Sequence, residues 1–255
     1  MKAMTLLAAA LLTAMPGLAA RAADVAVKTR DAEITVEIDA KLKADAALAA
    51  NLLAEGKTWA ARQQKDATAM RRDDTAEMRK LFPRYTYERS YAPDGMTPRY
   101  VSIVRTDFVF TGGAHPNTMM DTLLWDASAQ KRISIRPFFK ETRDDGPTMK
   151  ALLKLVQAAL IKEKKARGTD DGDNAEVKAL PAKLIGIGPV SLAPSTEKDR
   201  SGGLTFHYEP YAVGAYAEGA YIVTVPWRGF ADHFSDEGRA LFGGDVPPEP
   251  TGDKK

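Results

Sequence analysis

Cysteine is absent from the chain. Without thiols the protein can form no disulfide, no thiolate nucleophile and no zinc–thiolate centre. Long apolar runs are missing too. The most extended run, at residues 4–15, has 12 residues, whereas a membrane-spanning helix needs about 18 or more. We therefore expect no membrane span and a fold that depends on its apolar core.

The first 23 residues have the pattern of a cleavable secretion signal. Lys2 supplies a positive start, the apolar run at 4–15 follows, and residues 20–22 offer a small-residue cleavage site. Cleavage there would start the mature chain at Asp24, and a lipid anchor is excluded because no cysteine is available. The sequence thus predicts a periplasmic or secreted protein that has no membrane span once the signal is removed.

Neither sign of charge dominates the mature chain. Without Lys2 and Arg21, which lie in the predicted signal, the 36 basic residues fall to 34 and equal the 34 acidic ones. A balanced chain has no overall field that would attract nucleic acid or an anionic membrane. We expect neither as a partner.

Catalytic and cofactor motifs are also lacking. There is no Gly-x-Ser-x-Gly elbow and no glycine-rich nucleotide loop. The three histidines, His115, His207 and His233, do not have the spacing of a zinc protease, and the acidic segment 169–173 fits a calcium loop in neither register. We interpret that segment as a solvated acidic turn. The sequence assigns no catalytic residue, metal or cofactor, so its motifs favour no particular enzymatic activity.

Apolar periodicity predicts an α+β fold with strands packed against helices. Residues 33–39 alternate strictly and place Ile34, Val36 and Ile38 on one buried face. The proline-free, alanine-rich segment 43–82 predicts one long helix. Further strands are predicted at 85–91, 100–111, 118–125 and 132–135, with a turn at 93–95.

The second half of the chain continues this mixed pattern. Pro147 in a first turn and Gly168 as a stop signal bound a helix over 147–166, with Asp145 as its cap. The segment 243–255 is rich in proline and is predicted to be a disordered tail. Strands are predicted at 190–192, 204–208 and 220–225, followed by a short closing helix at 227–234.

The most unusual segment is 111–117, with the sequence TGGAHPN. Two glycines directly after a strand allow positive φ angles or the close approach of a partner. The polar residues beside them could serve a ligand, or could only hydrogen-bond the backbone of a specialised strand connection. Tyrosines crowd the later segment 208–221, and aromatic rings suit both sugar faces and protein interfaces. The candidate binding residues are Thr111, Gly112, Gly113, His115, Asn117, Tyr208, Tyr211 and Tyr216.

These segments carry a family resemblance. The glycine–histidine stretch, the run 203–214 (GLTFHYEPYAVG) and the strand that ends in Pro226 and Trp227 together resemble a pair of exported domains of unknown function. The pair occurs in the non-catalytic part of PdaC-type peptidoglycan deacetylases and in the extracellular part of RsiV-type lysozyme-sensing anti-sigma factors. The resemblance covers residues 30–242 and implies two consecutive α+β parts, 24–136 and 137–242.

Binding at the cell wall is the function that the resemblance implies. The expected partner is a lysozyme-like protein or peptidoglycan glycan. We expect neither deacetylation nor transmembrane signalling, because the chain shows no deacetylase domain and no membrane-spanning or cytoplasmic segment. Two alternatives stay open: a wall-modifying hydrolase or deacetylase that uses His115, and a structural envelope protein that recognises a partner through its β surface.

Overall fold

Residues 23–248 are described by a computed structural model of the chain. The predicted secretion signal, apart from its last residue, lies outside the described residues, and so does the end of the predicted tail from residue 249. Across the described range the fold is mixed α+β, as the periodicity predicts.

A curled sheet of six strands forms the first half of the described chain, in the order β1-β2-β3-β4-β5-β6. Strands β2 and β3 pair in parallel, because two helices cross over between them, and the other neighbours are antiparallel. The elements are β1 (Val25–Lys28), β2 (Ala32–Ile38), α1 (Ala46–Met70), α2 (Ala76–Leu81), β3 (Tyr85–Met96), β4 (Tyr100–Phe110), β5 (Asn117–Asp126) and β6 (Lys131–Ile133).

Helix α1 covers one face of this sheet. Asp45 caps it by accepting hydrogen bonds from two first-turn N–H groups, the usual way an aspartate starts a helix. Leu48 and Leu52 pack against the alternating residues of β2, whose Ile34 and Val36 are fully buried. The strict alternation at 33–39 therefore predicts both the strand and its buried face correctly.

The single helix predicted at 43–82 is wrong, because the chain breaks between α1 and α2. Thr75 accepts a hydrogen bond from Met78 N–H and so begins a new helix. Arg71 stabilises the break, since its guanidinium donates to the carbonyls of Phe82 and Pro83 at 2.9 and 2.8 Å. The bend brings the chain back to the start of β3, where it can pair in parallel with β2.

The turn predicted at 93–95 is also wrong. Strand β3 continues to Met96 with an irregularity in its pairing between Pro93 and Met96. A Cβ on Gly95 would lie only 2.0 Å from the carbonyl oxygen of Leu192. The glycine therefore permits a close approach of the second half of the chain, and the reversal comes after Met96.

A smaller antiparallel sheet, β7-β8-β9, lies in the second half of the part described. Helix α3 packs against it, with Met149, Leu152, Val156 and Leu160 on its buried face. The elements are α3 (Pro147–Arg167), α4 (Ala175–Lys178), α5 (Leu184–Ile187), β7 (Val190–Leu192), β8 (Gly203–Tyr208), β9 (Tyr221–Pro226) and α6 (Asp236–Leu241).

The ends of α3 confirm one predicted signal and correct another. Gly168 adopts φ 72° and ends the helix as predicted. Asp145 is not the cap, because Gly146 occupies the cap position. The carboxylate of Glu141 instead accepts the N–H of Thr148 at 2.9 Å.

The closing segment differs from its prediction as well. The helix predicted at 227–234 is a pair of 3₁₀ turns, 227–229 and 231–233. The predicted disordered tail is held against the body at its start: Trp227 Nε1 donates to Gly244 O at 2.7 Å, and Thr196 N donates to Asp245 O at 2.8 Å.

Within residues 23–248, the buried apolar side chains form two hydrophobic clusters, one mainly in each half. The boundary between them does not follow residue 136 strictly, since Tyr100, Leu124 and Ile135 from the first half belong to the second cluster. None of the helices in residues 23–248 is long and apolar enough to cross a membrane.

Candidate functional site

The glycine–histidine segment forms the connection between β4 and β5. Gly112 and Gly113 adopt φ angles of 92° and 108°, which favour glycine over residues with a Cβ. Gly112 also lies against Phe82, whose ring would be 3.0 Å from an added Cβ. The two glycines thus turn the chain and place His115 at the end of the sheet.

A second loop, residues 209–219, follows β8 and contacts the segment that carries His115. Tyr211 adopts a left-handed φ of 76°, a conformation that is costly for a bulky residue. Its side chain is 61% exposed. The loop therefore holds a large aromatic ring towards solvent in a fixed and strained conformation.

The two loops bring three predicted binding residues together, and we call His115, Tyr211 and Tyr216 the aromatic cluster. The rings of His115 and Tyr216 stack with centroids 3.8 Å apart. The ring of Tyr211 lies 5.3 Å from that of Tyr216 and 6.2 Å from that of His115. The Tyr216 hydroxyl donates to Pro116 O at 2.9 Å, so it ties the two loops to each other.

A buried ion pair fastens the second loop to α3. Lys164 donates to the carboxylate of Glu218 at 2.8 Å and to Val213 O at 3.0 Å, and Tyr221 donates to the same carboxylate at 2.5 Å. The Lys164 and Tyr221 hydrogen bonds lower the pKa of Glu218 to about 2. The loop is thus positioned by a charged contact that keeps Glu218 ionised well below the pH at which a glutamate ordinarily takes up its proton.

Tyr208 is buried, although the sequence analysis proposes it as a binding residue. It is 3% exposed, and its hydroxyl donates to Ile187 O at 2.6 Å. Burial raises the pKa of the Tyr208 phenol. All six residues of β8 are buried, so the strand has no solvent face on which a tyrosine could be presented.

The remaining candidates flank the cluster. Asn117 is exposed at the first position of β5, Thr111 is half-buried after β4, and Gly113 has open space where a Cβ would stand.

The three histidines have separate surroundings. His115 contacts Pro116 and the two tyrosines of the aromatic cluster. His233 lies 3.3 Å from the Thr148 hydroxyl. His207 is buried among other partners, described below. Among residues 23–248 no three His, Asp or Glu side chains are grouped so that they could hold a metal ion.

No sequence pattern predicts the polar group around His207. His207 Nε2 lies 2.8 Å from the Ser191 hydroxyl and 3.2 Å from a carboxylate oxygen of Asp94, and Ser191 donates to that carboxylate. No motif spacing joins these residues, because they come from β3, β7 and β8. Ser191 and His207 are buried, so the group joins the two sheets and is closed to a substrate.

A comparison with known protein families gives a match to part of the chain. Residues 138–228 match the family model described as "Protein of unknown function (DUF3298)". They form a DUF3298 domain. The DUF3298 domain contains α3, all of the smaller sheet and the loop that carries Tyr211 and Tyr216. No curated protein matches the chain.

Two solved structures described as DUF3298 family proteins are similar to the chain. The one from Pseudomonas aeruginosa PAO1 has 18% identity and a TM-score of 0.47 over 62% of this chain, and the chain covers 65% of that structure. The one from Bacteroides fragilis NCTC 9343 has 17% identity and a TM-score of 0.51, over 80% of this chain and 85% of that one. At this identity the second structure supports the fold alone.

Proposed function

We propose that this protein is a non-catalytic recognition module of the cell envelope that binds cell-wall glycan through its aromatic cluster. The observation that carries the proposal is the Tyr211 ring, which is 61% exposed and held by left-handed backbone beside two further rings. Strained, exposed side chains are concentrated at functional sites. The predicted secretion signal and the resemblance to the PdaC-type and RsiV-type domains support an envelope location.

Glycan is favoured as the ligand because of the shape and chemistry of the cluster. Tyrosine and histidine rings present flat faces to the apolar C–H groups of a sugar, and their polar atoms can bond its hydroxyls. The cluster is also fixed before binding, because Tyr216 is hydrogen-bonded to Pro116 and Glu218 is paired with Lys164. A preorganised surface loses little conformational entropy when a ligand binds.

The alternative of a hydrolase that uses His115 finds less support. In hydrolases of the serine type, the histidine base lies between a serine hydroxyl and a carboxylate. The ring contacts of His115 are to Pro116 and two tyrosines. These contacts suit stacking rather than proton transfer.

Titration of the purified protein with soluble peptidoglycan strands tests the proposal. Tyr211→Ala should weaken binding by about tenfold or more, which is about 1.4 kcal/mol. Tyr211→Phe should stay within about threefold of the original, because it keeps the ring on the same backbone. Met96→Ala is the matched control, since Met96 is 46% exposed and lies at the other end of the β3–β4 ladder.

Lysozyme is titrated in parallel, because tyrosines are also frequent in protein hot spots. Binding of lysozyme without binding of glycan would show that the cluster recognises a protein partner and not a sugar. Retention of neither ligand would show that the proposal is wrong.

A further inference from the structure

A cavity of about 520 Å³ lies between α1 and two strands of the larger sheet, β3 and β6. Its charged lining consists of three arginines, Arg62, Arg89 and Arg132, and one acidic residue, Glu55. Three positive charges against one negative give the lining a formal charge of +2. Ligand cavities have volumes of about 300–1,000 Å³, so this one has room for a sugar ring or a molecule of similar size.

Glu55 shows how these arginines hold a carboxylate. One of its oxygens accepts hydrogen bonds from Arg89 at 3.3 Å and from Arg105 at 2.5 Å, and the other accepts one from Arg132. Burial raises the pKa of Glu55, but the bonds from Arg132 and Arg105 outweigh burial and hold the pKa below its ordinary value. A carboxylate that loses part of its water in this cavity is therefore stabilised by the guanidinium groups around it.

Two further carboxylates pair with these arginines without lining the cavity. Asp107 is buried and accepts two hydrogen bonds from Arg89, at 2.6 and 2.5 Å. Asp121 accepts a bond from Arg105 at 2.7 Å. Arg89 and Arg105 are therefore committed to partners within the protein.

Arg132 and Arg62 keep hydrogen-bond donors for a ligand. A guanidinium has five N–H groups, and within residues 23–248 that of Arg132 uses two of them, on Asn51 at 2.7 Å and on Glu55. The Arg132 side chain is 35% exposed. Arg62 is 79% exposed and makes an ion pair with Asp66 at 3.6 Å, and exposed pairs of this kind are weak. A second carboxylate can therefore bind to Arg132 and Arg62 beside Glu55.

Trp59 gives the cavity an aromatic surface. Its ring is half-buried, and the guanidinium of Arg89 lies 4.5 Å from the ring centroid. The other lining residues are Asn51, Ala54 and Thr58. An indole surface suits the C–H groups of a sugar ring, and the amide and hydroxyl groups beside it suit the sugar hydroxyls.

We propose that this cavity binds a carboxylated sugar, whose carboxylate is held by Arg62 and Arg132 and whose ring packs against Trp59. The site goes beyond the proposed function, because it shares no residue with the aromatic cluster and selects a negatively charged ligand. A planar guanidinium matches a carboxylate in a two-point geometry. A neutral sugar would leave the spare guanidinium donors unused, and a carboxylate without a ring would leave Trp59 uncovered.

Four small molecules test this assignment. The purified protein is titrated with glucuronic acid, its neutral methyl ester, glucose 6-phosphate and acetate, with chemical-shift changes as the readout. We expect glucuronic acid to bind at least tenfold more tightly than the ester and acetate, and at least threefold more tightly than glucose 6-phosphate. No binding of glucuronic acid, or equal binding of the acid and its ester, would overturn the proposal. Equal binding of acetate would overturn the role of the sugar ring, and equal binding of glucose 6-phosphate would overturn the selection of a carboxylate.

Substitutions of the two arginines test the location. Arg62→Gln and Arg132→Gln should each weaken the binding of glucuronic acid by about fivefold or more. Arg62 is exposed, so its variant should fold, and thermal unfolding checks this for both. Arg30→Gln is the matched control, because Arg30 is 89% exposed, pairs with the neighbouring Asp31 and lies outside the lining. Unchanged binding in a folded Arg62→Gln variant would show that the carboxylate is held elsewhere.

The Tyr211→Ala variant separates this site from the aromatic cluster. Its binding of glucuronic acid should stay within about threefold of the original, because Tyr211 does not line the cavity. Loss of glucuronic acid binding in this variant would place the acid at the aromatic cluster and overturn the second site. Failure of the arginine site leaves the proposed function intact, since soluble peptidoglycan strands test the aromatic cluster independently.

Discussion

Glu218 is the residue on which the position of the loop 209–219 depends. Its hydrogen bonds with Lys164 and Tyr221 hold its pKa at about 2, below the ordinary value of 4.5. A lowered pKa means that the folded state favours the ionised form. The resulting stability is complete above about pH 4.5 and is lost as the pH falls towards 2.

Replacing Glu218 with glutamine should therefore destabilise the protein in a pH-dependent way. The shift of the pKa corresponds to about 3 kcal/mol, and the side chain is only 16% exposed. We expect Glu218→Gln to lower the free energy of unfolding by about this amount at pH 7, and by less than about 1 kcal/mol near pH 2. Urea denaturation at both pH values measures the difference.

Glu163→Gln is the control for this experiment. Glu163 pairs with Arg167 four residues later, and its side chain is 38% exposed. Exposed pairs of this kind contribute about 0.3–0.5 kcal/mol. Equal losses for Glu218→Gln at neutral and acid pH would contradict the assignment of its stabilisation to the carboxylate charge.

The tyrosines show how far single residues can be predicted. Composition marks Tyr208, Tyr211 and Tyr216 alike as candidates, but only the last two reach the surface. The difference arises because Tyr208 belongs to β8, which is buried on both faces. In such a strand, polar and apolar residues need not alternate, so the sequence does not indicate which side chains are buried. His115 meets Tyr211 across a separation of 96 residues in the sequence, which no local pattern indicates.

At the scale of elements, α1 crosses β2 closely at Gly56. The sequence suggests that this glycine weakens the helix by about 1 kcal/mol relative to alanine. The structure gives it a packing role, because an added Cβ would lie 2.7 Å from Val36 Cγ1. Val36 is fully buried and β-branched, so it cannot easily turn away.

Gly56→Ala should consequently destabilise the protein despite the higher helix propensity of alanine. Overpacking costs about 1–3 kcal/mol, so we expect a net loss of about 1 kcal/mol in the free energy of unfolding. In the Val36→Ala background the clash is absent, and there Gly56→Ala should stabilise instead. A stabilising Gly56→Ala in the original background would show that the helix moves away freely.

Local signals predict elements well where the partner is near in sequence. The strand at 33–39, the end of α3 at Gly168 and the strands of the smaller sheet follow from alternation and stop signals. The segment 93–95 is mispredicted because the role of Gly95 is set by Leu192, which belongs to the other half. The sequence does not predict the break after α1, because Thr75 caps α2 inside a segment that is otherwise favourable for helix.

At the scale of the molecule, the smaller sheet docks on the larger one through polar contacts. Leu192 N donates to the Ser102 hydroxyl and Val190 N to the Thr122 hydroxyl, each at 2.9 Å. Met120 N donates to the carboxylate of Glu209 at 2.8 Å. The first two bonds satisfy N–H groups of β7, and the third satisfies an N–H group of β5.

Removing one of these bonds should weaken the docking. Ser102 is fully buried, so Ser102→Ala leaves Leu192 N–H without a partner. We expect a loss of about 2 kcal/mol in the free energy of unfolding, measured by denaturant titration. Ser128→Ala at an exposed position should change it by less than about 0.5 kcal/mol. An unchanged stability of Ser102→Ala would mean that water replaces the hydroxyl.

The aromatic cluster belongs to neither half alone, since His115 comes from the larger sheet and its two tyrosines come from the DUF3298 domain. If a ligand binds across the cluster as proposed, ligand binding and the association of the two halves are coupled. Each then favours the other by the same factor. A ligand that contacts both loops would stabilise the contact between the two halves. Under the proposed function, a substitution that weakens the contact between the two halves should therefore also weaken ligand binding, even when the substituted residue is distant from the three rings.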